Sequence, residues 1–214
     1  MDTNEKFVIT ISREVGSGGR TVGRKLAEKL GVRYSDKQLI GALQNKFSLS
    51  VEKIEKLKGK KKDWFEEFID YVAPRPTSSL TLPYDTGIRL RSVTQEDVFK
   101  AESAILSGIA DEGSCVIAGR SAFFILAGRK NLVNVFISAS RENRIARVMR
   151  RQNLTEEQAA EVVDKVDSAR DNYVMRHTGL SRYDARNYDL VLNMDHLSED
   201  AAVKLILEYL SSRF

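Results

Sequence analysis

Apolar positions along the chain form short continuous runs and also recur at helical spacing, which predicts strands that alternate with helices. Residues 7–12 form an apolar, β-branched run of strand length. Val22, Leu26 and Leu30 recur at intervals of four, as on the buried face of an amphipathic helix. The other predicted strands are residues 32–34, 115–118, 132–137 and 189–193. Because strands and helices alternate, we expect a three-layer α/β/α fold with a central parallel sheet of about five strands.

Polar residues and glycines mark the ends of several predicted helices. Gly31 is placed to end the first helix. Ser140 and Thr155 precede two later helical patterns, and hydroxyl side chains are favoured at helix N-caps. Thr178-Gly179 follows the second of these patterns and is expected to end it.

A glycine-rich loop separates the first predicted strand from the first predicted helix. Glycines let a backbone approach a phosphate closely, and the first N–H groups of a helix have no partner inside it. An arginine and a threonine at the helix start add a positive charge and a hydroxyl. The predicted phosphate-binding loop consists of Gly16, Ser17, Gly18, Gly19, Arg20 and Thr21. The alternative is a strand-to-helix turn that binds nothing.

This loop departs from the common phosphate-loop pattern G-x-x-x-x-G-K-[ST]. If Gly19-Arg20-Thr21 stands for G-K-T, the leading glycine falls on Glu14 and arginine replaces lysine. If the helix register is matched without gaps, Gly18 is the glycine before the lysine and Gly19 takes the place of the lysine. The lysine is missing in both alignments.

Several stretches of the chain resemble the cytidylate kinase-like family, a divergent branch of the P-loop nucleoside monophosphate kinases. They are Ile9–Thr21, Gly23–Gly31, Tyr34–Lys37, Val116–Arg120 and Tyr188–Leu192. The resemblance implies a P-loop kinase fold, ATP and Mg²⁺ as cofactors, and a small nucleotide as phosphoryl acceptor.

The resemblance also implies roles for individual residues. Arg20 would hold the donor phosphates, and Thr21 would approach the metal ion. Arg120 follows a predicted strand and would bind the acceptor phosphate, although Ser121 replaces the acid of the family's Gly-Arg-Asp motif. Asp36 would contact the acceptor or its metal, and the alternative for Asp36 is an N-cap of the next helix.

Arginines concentrate on one predicted helix in the second half of the chain. Arg144, Arg147 and Arg151 lie three and four residues apart, which places them on one helical face. In the family, a lid delivers arginines to the transferred phosphoryl group, and we expect residues 140–187 to form it. The residues that the resemblance assigns to catalysis are Arg20, Arg147, Arg151 and Arg170, and Asp171 is assigned to substrate binding.

Length and composition indicate the domain organisation of the chain. The chain has 214 residues and is 42% hydrophobic, which is enough for one domain with a full core. Residues 48–92 contain all three prolines and match the position of the acceptor-binding insert of monophosphate kinases. We therefore predict a single domain over residues 1–214, with an insert at about 48–92.

The same features restrict location and partners. We expect a cytoplasmic protein, because there is no signal-like leader and no apolar run long enough to cross a membrane. The net charge of +4 is mild, and aromatic residues are not interleaved with the basic patches, which disfavours nucleic-acid binding. Cys115 is the single cysteine and lies in an apolar run. A homo-oligomer is left open.

Together these features predict ATP-dependent phosphoryl transfer to a small acceptor, with a nucleoside monophosphate such as CMP or dCMP favoured. Two alternatives remain. The missing lysine and the missing Gly-Arg-Asp acid also fit a nucleotide- or phosphate-binding regulatory module that has lost catalysis. The second alternative is a kinase that acts on a non-nucleotide small molecule.

Overall fold

A computed structural model describes residues 5–36 and 95–213 of the chain. The predicted insert at 48–92 lies outside these residues, as does the helix that Asp36 was expected to cap. The assignment of these residues to an acceptor-binding insert therefore stays a prediction.

Five strands form one sheet, and six α-helices are described around it. The strands are β1 Val8–Arg13, β2 Arg33–Ser35, β3 Cys115–Ala118, β4 Leu132–Ser138 and β5 Leu190–Asn193. The helices are α1 Gly19–Leu30, α2 Gln95–Glu112, α3 Ala122–Ile125, α4 Arg141–Gln152, α5 Glu156–Thr178 and α6 Glu199–Arg213. The predicted strands are confirmed within two residues at each end, and the single-turn helix α3 was not predicted.

The sheet is parallel throughout, with the strand order β2-β3-β1-β4-β5. Strand β1 lies in the middle, where Ile11 pairs with Ala118 of β3 and Arg13 pairs with Ile137 of β4. In open parallel sheets, ligands bind beyond the carboxyl ends of the strands, where the connections leave in opposite directions. The glycine loop after β1 therefore lies at the position where this fold class forms binding sites.

Alternation along the strands produces the two faces of the sheet. Ile9 and Ile11 of β1 pack with α1 and α6, and Ile206 of α6 is fully buried in this cluster. Val8 and Ile117 point to the other face and pack with α2 and α3. These two clusters give the predicted three-layer α/β/α arrangement.

The expected helix ends are also found in the structure. Gly31 and Gly179 adopt left-handed backbone conformations with φ of 64° and 70° and end α1 and α5. The Ser140 hydroxyl accepts a hydrogen bond from Asn143 N at 3.4 Å and caps α4. Thr155 forms a capping box with Gln158 at the start of α5.

Helices α4 and α5 form a separate apolar cluster over the glycine loop. Val15 of the loop is buried against Ile145 and Val148 of α4 and against Val163 and Val166 of α5. The helices of the predicted lid are thus packed directly on the loop in this structure. Their arginines reach the loop because of this packing.

Candidate active site

The glycine loop presents several backbone N–H groups before and at the start of α1. Gly16 and Gly18 have φ of +80° and +89°, which disfavour any residue with a side chain. A Cβ at Gly16 would overlap the backbone of Arg144, and a Cβ at Gly18 would lie 3.3 Å from the Arg147 guanidinium. The N–H groups of Gly16, Gly18 and Arg20 make no hydrogen bond to any of the described residues. This geometry fits the phosphates of a nucleotide.

Arginines from several elements surround the glycine loop and line a pocket beside it, which we call the loop pocket. Arg20 pairs with Asp36 through a 2.7 Å contact between Nε and Oδ2. Arg147 forms an ion pair with Glu199 of α6, and Arg151 donates a hydrogen bond to the Thr21 hydroxyl at 3.0 Å. The residues lining the loop pocket include Arg13, Gly16, Gly18, Gly19, Arg20, Arg147, Arg151 and Arg170. The predicted residues Arg20, Arg147, Arg151 and Arg170 are therefore brought together.

A second pocket, the β3 pocket, lies beyond the end of β3. Arg120 occupies a left-handed conformation with φ of 61° and forms a buried ion pair with Glu102 of α2. The Tyr173 hydroxyl donates to the same carboxylate, and burial raises the pKa of Tyr173 well above its usual range. The residues lining the pocket include Ser12, Arg13, Gly119, Arg120, Arg170 and Arg182. A pocket with four arginines attracts a ligand that carries negative charge.

Arg13 was not predicted as a site residue. It is the last residue of β1, is 7% exposed, and lines both the loop pocket and the β3 pocket. A signal was present in the sequence, because the gap-free alignment of the phosphate-loop pattern places its leading glycine on Arg13. An arginine at a position that normally requires glycine marks a change in how the loop is built.

Asp167 was also missed as a site residue. Its buried carboxylate accepts hydrogen bonds from Val15 N at 3.1 and 3.2 Å. The same carboxylate contacts Arg144 at 2.6 Å, Arg170 at 3.5 Å and Arg182 at 3.8 Å. Asp167 lies 152 positions after Val15 in the sequence, and it joins the loop backbone to three arginines. No spacing rule predicts such a contact, because the packing of α5 on the loop creates it.

Three predicted residues lie beside the pockets. Thr21 reaches the loop pocket through its hydrogen bond with Arg151. Asp36 is 4% exposed, and its Oδ1 has no hydrogen-bond partner among the described residues. Asp171 follows Arg170 on α5, and its Oδ1 is likewise buried without a partner in the described parts of the chain. Neither aspartate lines the loop pocket or the β3 pocket.

The described residues fit a metal site in which the protein supplies few ligands. Within residues 5–36 and 95–213, there is no group of three or more His, Cys, Asp or Glu side chains that could hold a metal ion. Mg²⁺ at nucleotide sites usually keeps several waters and is held by one or two protein oxygens together with substrate phosphates. The Thr21 hydroxyl and the Asp36 carboxylate are oxygen donors of this kind.

No helix in the described part of the chain has the length and apolar character to cross a membrane.

The sequence is similar to the sequences of two known proteins. The cytidylate kinase of Sulfurisphaera tokodaii is 25% identical over 208 residues, which cover 96% of each chain. The cytidylate kinase of Methanocorpusculum labreanum is 27% identical, over 94% of this chain and 98% of its own.

Solved structures show the same fold at lower identity. A protein from Eubacterium ventriosum whose function is uncharacterised is 23% identical with a TM-score of 0.68, over 97% of this chain and 99% of its own. Shikimate kinase from Acinetobacter baumannii, solved with shikimate, is 14% identical with a TM-score of 0.53, over 99% of this chain and 96% of its own. The predicted P-loop kinase fold is thereby confirmed.

Both relatives are cytidylate kinases, which favours an active enzyme over a regulatory module without catalysis. The model of the cytidylate kinase-like family matches residues 8–196, which is most of the chain. With its glycine loop and the arginines around it, the chain belongs to the cytidylate kinase-like family and is a kinase.

Proposed function

We propose that this kinase transfers the terminal phosphoryl group of ATP to a nucleoside monophosphate, with CMP or dCMP as the first candidates. The observation that carries the proposal is that the loop pocket and the β3 pocket share Arg13 and Arg170. A phosphoryl group that leaves a donor on the glycine loop would pass these two side chains on its way to an acceptor beside Arg120. The named cytidylate kinase relatives support the choice of acceptor.

The place of each residue in the structure supports a proposed role for it. The backbone from Gly16 to Gly19 and the side chain of Arg20 would hold the donor phosphates. Arg120 would hold the acceptor phosphate, because Glu102 fixes its guanidinium at the β3 pocket. Asp36 and Asp171 stay candidate acceptor contacts.

Catalysis by such a site consists of positioning and charge neutralisation, and it needs no covalent enzyme intermediate. Arg147, Arg151 and Arg170 would face the charge on the transferred group. Mg²⁺, when bound with ATP near Thr21, would supply further positive charge to the phosphate oxygens. The apolar contacts between Val15 and the helices α4 and α5 would help to exclude water from this region.

The test is an ADP-release assay with ATP and Mg²⁺ against CMP, dCMP, UMP, AMP, GMP, shikimate and gluconate. We expect turnover with CMP or dCMP. The double variant Arg120→Gln/Glu102→Gln removes both charges of the buried pair, so no unpaired charge is left behind. Loss of a charged hydrogen bond to the acceptor should raise its KM by about 10- to 100-fold.

Arg129→Gln is the matched control, because Arg129 pairs with Asp111 and lines neither pocket. It should leave the acceptor KM unchanged. Turnover on shikimate or gluconate alone would replace the nucleotide acceptor with a non-nucleotide one. No turnover on any acceptor, with ATP binding intact, would overturn the proposal.

A further inference from the structure

The side chain of Arg13 lies where a side chain at position 19 would begin. A Cβ built on Gly19 would lie 2.6 Å from Cβ and 3.1 Å from Cγ of Arg13. Gly19 is the first residue of α1 and does not have a positive φ, so the backbone itself would accept another residue. Position 19 is the lysine position of the phosphate-loop pattern in the gap-free alignment. Arg13 therefore excludes a lysine at this position by its bulk.

The guanidinium of Arg13 then extends across the end of the sheet. A Cβ built on Gly119 would overlap Nη1 of Arg13, so the glycine at 119 leaves room for the guanidinium. Gly119 follows β3 directly, whereas Gly19 starts the helix after the glycine loop. The side chain thus runs from the loop pocket to the β3 pocket and lines both.

Arg13 also differs from its neighbours in its charge partners. Five of the six other arginines that line the two pockets have an acidic partner: Arg20 pairs with Asp36, Arg120 with Glu102, Arg147 with Glu199, and both Arg170 and Arg182 with Asp167. No carboxylate among the described residues lies within ion-pair distance of Arg13, although Arg13 is 7% exposed. A guanidinium with little access to water and no acidic neighbour is suited to bind an anion.

We propose that Arg13 takes the place of the phosphate-loop lysine and is a catalytic residue that contacts the phosphoryl group in transfer. In standard loops the side chain of that lysine extends from the start of the helix and contacts the terminal phosphates of the donor. Here the cation comes from the end of β1 instead, and Gly19 and Gly119 provide the space for it. Arg20, which is tied to Asp36, stays a predicted ligand of the donor phosphates. The inference rests on the proposed phosphoryl transfer.

The binding test measures the affinity for pyrophosphate and for ATP by calorimetry. Arg13→Gln should weaken both by about 10- to 100-fold, because a charged contact to the phosphates is lost. Arg24→Gln is the control, since Arg24 lies on the exposed face of α1 and outside both pockets. Melting temperatures of both variants show whether the fold is intact. Unchanged pyrophosphate affinity in a folded Arg13→Gln would overturn the inference.

A residue swap makes the test sharper. Gly19→Lys alone should disturb the loop, because its Cβ collides with Arg13. The double variant Arg13→Gly/Gly19→Lys removes the collision and supplies a lysine at the standard position, although Ile137 Cβ, at 3.2 Å from the new Cβ, must shift slightly. The double variant should bind pyrophosphate more tightly than Arg13→Gly alone or Gly19→Lys alone.

The catalytic step provides a second readout. With an acceptor that the wild type phosphorylates, Arg13→Gln should lower kcat by about 100- to 1000-fold, as loss of a donor to the developing charge does. The swap should recover part of that loss. Absence of turnover in the wild type would refute the proposed function, while the pyrophosphate arm would still decide the role of Arg13. If Arg20→Gln lost both binding and kcat while Arg13→Gln kept them, Arg20 would be the replacement for the lysine.

Discussion

Asp167 is the buried carboxylate that holds three arginines beside the glycine loop. One buried carboxylate accepts from the Val15 N–H and neutralises part of the charge of Arg144, Arg170 and Arg182. The Arg170 and Arg182 guanidiniums also donate to the carbonyl oxygen of Arg13, at the end of β1. Asp167 is therefore a positioning residue that acts through the arginines it holds.

Asp167→Asn should lower the free energy of unfolding by about 3 to 5 kcal/mol, because removing one partner leaves buried charge uncompensated. The amide can still accept from Val15, so the fold should persist in the variant. Urea denaturation measures the effect. Asp164→Asn, one turn earlier on α5, removes an exposed carboxylate paired with Arg141 and should leave the free energy of unfolding nearly unchanged. Equal effects of the two variants would contradict the role of Asp167.

At the scale of elements, α5 connects the two pockets. Its apolar residues Val163 and Val166 pack on the loop, while Tyr173, further along the helix, reaches the β3 pocket. Near its end His177 stacks on Phe99 of α2, with ring centroids 4.5 Å apart and an interplanar angle of 4°. This aromatic contact ties the last turns of α5 to α2.

The burial of His177 against α2 predicts a pH dependence of stability. Burial lowers the pKa of His177, with a further contribution from Arg176, while Glu102 and Glu96 oppose the shift. The unfolded chain therefore takes up a proton first as the pH falls below about 6.5, and stability decreases from there through the lower folded pKa. His177→Phe should remove this part of the decrease between pH 7.5 and 5.5 in urea denaturation. His196→Phe, at an exposed position, is the control and should behave like the wild type.

At the scale of the whole molecule, two apolar layers hold the sheet that carries the site. The larger cluster joins β1, β3 and β4 to α1 and α6, and α1 and α6 also contact each other directly. Lys25 of α1 and Asp200 of α6 add an ion pair at 2.8 Å on the surface of this interface. The loop and the start of α1 are thus supported by a helix from the other end of the chain.

Ile206→Ala tests this support. Ile206 is fully buried between α6 and the sheet, and its truncation should lower the free energy of unfolding by about 2 to 5 kcal/mol. Leu205 is the neighbouring residue, is 42% exposed, and provides the matched control. Leu205→Ala should change the free energy of unfolding by less than about 0.5 kcal/mol. A similar loss in both variants would mean that α6 packs differently from the arrangement described.

The sequence by itself determined the order of the elements, the parallel sheet and the position of the glycine loop. These features depend on local patterns: the short apolar runs of the strands, the four-residue spacing of apolar side chains on the first helix, and the glycines and hydroxyl residues at helix ends. The family could also be inferred, because its motifs are short and contiguous. The arginine face of α4 followed from helical spacing, and the structure places Arg147 and Arg151 at the loop.

Only the tertiary structure decided how the charges are arranged. Asp167 lies 152 positions from Val15, and Glu102 lies 18 positions from Arg120, so no local pattern relates them. The same is true of Arg13, whose relation to Gly19 and Gly119 depends on where three separate segments meet. Local periodicity specifies which side of an element is buried, whereas the partner of a buried charge is fixed by packing between elements that are distant in sequence.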